Sequence, residues 1–129
     1  MRKGILLGTM VLVMLLVVAC GGSSKPAPVM DEPVPAGADG AQTVNLNFNT
    51  TDIAPAKVTV KAGQKVLFVV KNTDPKEDHN VVSQDLGIKE ILVVPGQTAR
   101  RLWTPTAKPG SYNVGCTIHP DIRMTIVVE

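Results

Sequence analysis

Gly115-Cys116-Thr117-Ile118-His119-Pro120-Asp121-Ile122-Arg123-Met124 sets a thiol and an imidazole three residues apart, with a thioether five residues beyond. A further histidine stands upstream in Asp78-His79-Asn80-Val81-Val82. The chain of 129 residues has two histidines and two cysteines, so these two segments hold both imidazoles and one of the two thiols. Two imidazoles and a thiolate are the donor set of a trigonal copper site with a weak axial partner. Cys116 and His119 can share an ion because a tight loop of two residues parts them. His79 lies 37 residues before Cys116, so only a folded sheet brings it there.

Working outward, the chain from Thr43 reads as sheet throughout. Val44-Asn45-Leu46-Asn47-Phe48-Asn49 and Lys57-Val58-Thr59-Val60 alternate apolar and polar residues, the pattern of strands with one buried face. Val66-Leu67-Phe68-Val69-Val70 is continuous and β-rich, which predicts a strand buried on both sides. Lys71 to Asp78 is a polar loop. Short strands are predicted at 79–83, 88–94, 98–104, 111–116 and 125–128. Turn signals stand at Ala62-Gly63-Gln64, Pro95-Gly96 and Pro109-Gly110. No segment has a helical period. Seven or eight short strands with regular turns predict an all-β sandwich or barrel. The 87 residues from Thr43 to Glu129 suffice for one modest core.

The N-terminus reads differently. Arg2-Lys3 precede an apolar run from Gly4 to Val18, short for a bilayer span and typical of a secretory signal. Val17-Val18-Ala19-Cys20 resembles a lipobox. Residues 1–19 are therefore expected to be a cleaved lipoprotein signal and Cys20 the lipidated residue, anchoring the chain to a bacterial membrane. The site then faces the periplasm or cell exterior. Residues 20–42, with Pro26, Pro28, Pro33 and Pro35 among Gly, Ala and Ser, are expected to be a disordered linker. Residues 43–129 form the folded domain. With Cys20 lipidated, Cys116 has no disulfide partner, and metal ligation accounts for a thiol kept outside the cytoplasm. The formal charge of +2 loses both cations of the signal on cleavage and becomes zero. No basic cluster points to nucleic acid. The sequon at Asn49-Thr50-Thr51 is discounted to chance.

The domain resembles the cupredoxins, the small blue copper proteins, across 43–129. Pro55, Val58, Val60, Gly63, Val66, Phe68 and Asn72 carry the likeness in the first half. His79-Asn80-Val81, Pro109-Gly110-Ser111-Tyr112, Cys116-Thr117-Ile118-His119-Pro120 and Ile126-Val127-Val128-Glu129 carry it in the second. The resemblance implies a Greek-key β-sandwich with one copper ion at one end, held by His79, Cys116 and His119. It implies that the Asn80 side chain ties the two ligand loops together. Ile118, Pro120 and Ile122 around His119 would form a small apolar docking patch.

The axial position has two readings. Amicyanin-type relatives place Met three residues after the histidine and Gly two further on, where this chain has Ile122 and Met124. Plastocyanin-like spacing selects Met124, but with a longer loop than stands here. Either Met124 caps the copper, or Ile122 sits over it and Met124 packs in the core. The Asp78 carbonyl is a further weak axial candidate. The function expected is a monomeric, membrane-tethered one-electron carrier that meets redox proteins. The alternative is a module for copper delivery, storage or sensing, against which stands the lack of a methionine cluster. An enzyme is not expected. No histidine remains for further coppers, and neither an oxyanion site nor an orienting partner for a Cys116–His119 pair is visible.

Overall fold

Alternation dictates the first strand, β1 (Gln42–Phe48), where Val44, Leu46 and Phe48 turn inward and are buried. The computed structural model describes Gly22 and residues 25–129, so the expected signal and Cys20 lie outside the described residues. After β1 the chain turns at Asn49, whose side-chain Oδ1 accepts the N–H groups of Thr51 (2.8 Å) and Asp52 (2.9 Å). The sequon asparagine thus serves a side-chain-capped turn. The turn leads into β2 (Ile53–Ala54), which pairs back onto β1.

Seven further strands follow: β3 (Lys57–Val60), β4 (Val66–Asn72), β5 (His79–Ser83), β6 (Ile88–Val93), β7 (Thr98–Trp103), β8 (Gly110–Gly115) and β9 (Arg123–Val128). They form two sheets, in the orders β2-β1-β4-β7 and β3-β9-β8-β5-β6. No helix occurs among the described residues. The all-β sandwich expected from the sequence is the fold observed. The strand beyond the seven or eight expected is the two-residue β2, too short for alternation to show. β4 is buried almost throughout because β1 and β7 flank it and the second sheet covers its inner face. Phe48 and Phe68 are the largest fully buried side chains. Burying such a ring is worth about 1.5–3 kcal/mol.

Strand direction concentrates the polar interior at one end. β1 runs parallel to β4, β7 runs back against β4, and β5 runs against both β6 and β8. The β4–β5 loop, the β6–β7 turn and the β8–β9 loop therefore share one end of the sandwich. Five buried polar side chains gather there: Asn72, Asp74, His79, Asn80 and Gln97.

Part of the expected linker is bound rather than free. Backbone Thr98 N–H donates to Met30 O (2.7 Å) and Glu32 N–H donates to Thr98 O (3.0 Å). The Gln97 side-chain amide donates to Val29 O (3.0 Å). Asp31 and Glu32 also pair with Arg100 and Arg101. The Arg101 guanidinium holds the Glu32 carboxyl below its usual range. Exposed ion pairs of this kind contribute about 1 kcal/mol or less each, so the backbone bonds matter more. A proline-rich stretch cannot pack a core, yet its carbonyls can still satisfy the open edge of β7. The strap covers the start of that edge, at Thr98 and Arg100, which would otherwise be free to pair with another chain.

Candidate metal centre

His79 opens β5 and is completely buried; Cys116 follows the last residue of β8 and is 4% exposed. His119 sits half-buried in the β8–β9 loop. That loop is pinched by two backbone bonds, Cys116 N–H to Ile122 O and Ile122 N–H to His119 O, both 3.0 Å. The pinch turns the His119 ring back over Cys116. The ligand atoms of His79, Cys116 and His119 lie within 4.8 Å of one another. Cys116 Sγ is 3.9 Å from Nδ1 of each histidine. Two donors about 2.0–2.3 Å from one ion and roughly 120° apart stand about 3.8 Å from each other, so these spacings suit a trigonal centre. The donor set and its geometry fit one copper ion.

The surroundings hold the donors in place. Backbone Asn80 N–H points at Cys116 Sγ (3.4 Å), a contact that holds the sulfur in place. Asn80 bridges the ligand segments with its side chain. Its Oδ1 accepts Thr117 N–H (2.8 Å), and its Nδ2 donates to Thr117 Oγ1 (2.7 Å) and Glu90 Oε1 (2.6 Å). Phe48, Ile53, Val81, Val114, Ile122 and Met124 close around Cys116 with no space for a water between them. The thiol therefore has a dry, apolar floor.

Ile122 and Met124 are both buried, at 4% and 3% exposure. Met124 lies within β9, opposite Val114, whereas Ile122 bonds across to Cys116 itself. Asp78 is exposed. The docking patch expected from Ile118, Pro120 and Ile122 loses Ile122. The pinch that seats His119 also draws Ile122 inward, and only Ile118, 45% exposed, and Pro120 remain outside.

Three contacts were not read from the sequence. The Phe48 ring stacks on His79, with centroids 4.8 Å apart and 6° between planes. Asp74 is 2% exposed, and its Oδ2 stands 3.2 Å from His79 Nε2. The N–H groups of Lys76, the larger influence, and Glu77 hold the Asp74 carboxyl below its usual range. Glu90 extends the Asn80 bridge towards the surface. The signal for Asp74 was Asn72-Thr73-Asp74-Pro75, a turn-forming run that reads as loop until its fold is known.

A model of the cupredoxin-like domain matches residues 10–128. No curated protein sequence matches the chain. Among solved structures, auracyanin A of Chloroflexus aurantiacus, described as a blue copper protein, is 20% identical. The match covers 70% of this chain and 100% of that one, with a TM-score of 0.59. The metal-binding domain of a Cu(I)-exporting P-type ATPase of Streptococcus pneumoniae, solved with Cu(I), is 13% identical over 78% of this chain and 94% of that one, with a TM-score of 0.61. A reduced amicyanin variant is 29% identical over 71% and 85%, with a TM-score of 0.50. The family match spans nearly the whole described sandwich, and the chain belongs to the cupredoxin-like family.

Proposed function

We propose that the chain is a one-electron carrier that holds a single copper ion through His79, Cys116 and His119 and works outside the cytoplasm, tethered by lipid at Cys20. The observation that carries this reading is the preassembled donor set. Three donors within 4.8 Å of one another, on a dry floor and fixed by hydrogen bonds, have little freedom to rearrange. Copper bound there supplies a single-electron couple between Cu(I) and Cu(II), both served by thiolate and imidazole. The residues keep water from the sulfur, direct a backbone N–H at it and hold both rings. The half-buried edge of His119, beside exposed Ile118 and Pro120, is the side from which a redox partner reaches the centre.

An enzyme fits less well. A cavity of about 500 Å³ between β6 and β7, against Trp103, includes none of the three donors. Delivery or storage also fits less well. Of the two methionines among the described residues, Met124 is buried and Met30 stands alone on the strap. In this reading the Ile122 side chain would stand beside the ion, with Met124 in the same floor around Cys116.

Copper(II) titration of the Cys20→Ala chain tests the centre. One equivalent is expected to give intense visible absorption from thiolate-to-copper charge transfer. Absence of the band, with tight Cu(I) binding instead, would move the function to delivery. The Ile122→Met variant is expected to keep the band and lower the reduction potential, because a thioether replaces an aliphatic neighbour. An unchanged potential would place Ile122 away from the ion. The tether is tested by intact mass of protein taken from membranes: a diacylglyceryl adduct on Cys20 supports it, and an unmodified cysteine removes it.

A further inference from the structure

We propose that Asp74 is a positioning residue that selects which nitrogen of His79 faces the metal and biases the centre towards the oxidised ion. The inference rests on the copper reading above.

The loop between β4 and β5 is built to present one carboxylate oxygen. Asn72, fully buried, accepts Asp74 N–H on its Oδ1 (2.8 Å), and its Nδ2 donates to Glu77 O (2.8 Å) and Val93 O (3.1 Å). Asp74 Oδ1 then takes the N–H groups of Lys76 (2.9 Å) and Glu77 (3.1 Å). Oδ1 is thereby occupied, and Oδ2 is left to His79 Nε2. These backbone donors favour the ionised form, which only accepts hydrogen bonds. With Oδ2 as its acceptor, the Nε2 nitrogen of His79 carries the ring proton, and Nδ1 faces Cys116 Sγ at 3.9 Å. Phe48, stacked on the ring, blocks the half-turn that would put ring carbons where the two nitrogens stand.

Charge adds a second effect. A buried anion behind an imidazole strengthens the ring as a donor. Both partners are almost fully buried, so solvent screens the effect little. The ion of higher charge gains more from it. His79 is the histidine paired with a carboxylate among the described residues; His119 is not. The bias is thus delivered through the buried ring alone.

Asp74→Asn keeps the shape and the acceptor for the two backbone N–H groups but removes the charge. Two readouts separate this proposal from the copper reading. In metal-free protein, nitrogen NMR is expected to show His79 as the Nε2–H tautomer in the native chain and as a mixture in Asp74→Asn. In copper-loaded protein, Asp74→Asn is expected to lower the Cu(II)-to-Cu(I) affinity ratio by about tenfold or more, a rise of roughly 59 mV per tenfold for one electron. Asp74→Ala is the second variant, since a merely structural role would lower its Tm and leave the potential of its folded fraction unmoved. An unchanged ratio in both variants, or a native His79 protonated at Nδ1, overturns the proposal. Failure to bind copper would defeat the functional reading and leave the tautomer result standing.

Discussion

Cys116→Ser abolishes the thiolate-to-copper band and leaves the protein folded. Serine is nearly the same size, so the floor of Phe48, Val81, Val114, Ile122 and Met124 stays packed. Its hydroxyl does not ionise near neutral pH and is a hard donor, poorly suited to Cu(I). The Asn80 N–H that met sulfur still finds an oxygen. A change in one buried contact of this kind costs about 0.5–1.5 kcal/mol, a Tm change of roughly 2–12 °C for a domain of this size. The two measurements are the visible spectrum after copper addition and thermal unfolding of the metal-free protein. A band that survives the substitution would remove Cys116 from the centre.

Phe48→Ala is expected to have the largest effect on stability. The ring is 1% exposed, lies between the sheets and stacks on His79. Truncating a buried Phe costs about 3–5 kcal/mol because a cavity remains. At this size that lowers Tm by roughly 12–40 °C. Phe68→Ala is the matched comparison, because Phe68 is equally buried but stacks on Trp103, with centroids 5.4 Å apart. Both should lose comparable stability. Only Phe48→Ala should also alter the spectrum and potential of the copper-loaded protein, since it frees the His79 ring and admits water beside it. Equal spectra for both variants would reduce Phe48 to core packing.

The fold was legible because alternation is local. Val44, Leu46 and Phe48 announce a half-buried strand, and Val66 to Val70 announce a fully buried one, without knowledge of any partner. The three donors were legible because the chain has two histidines and, among the described residues, one cysteine. Asp74 was not, because its value depends on where an Asx turn aims one oxygen across five residues. Nor was Phe48, whose ring meets His79 only when β1 and β5 face each other from different sheets. The inward place of Ile122 follows from a backbone bond to Cys116, which spacing does not encode. The docking of Val29 to Glu32 on β7 is backbone pairing, and composition is nearly silent about it.

The position of β9 governs the order of assembly. It comes after every other strand in the chain, yet it lies inside its sheet, with β3 on one side and β8 on the other. Lys57 of β3 pairs with Thr125, and β1 pairs in parallel with β4, so much of the sheet waits on distant segments. Such non-local pairing slows folding. His79 meets Cys116 only once β8 lies beside β5, where Val82 faces Gly115. A chain not yet folded therefore offers an ion Cys116 and His119 as neighbouring donors, without His79. Strong binding begins when the sandwich has closed, and a ligand that binds only the closed form adds about 2.7 kcal/mol at a hundredfold excess over its Kd. Metal arrives late, as a lock on a finished fold.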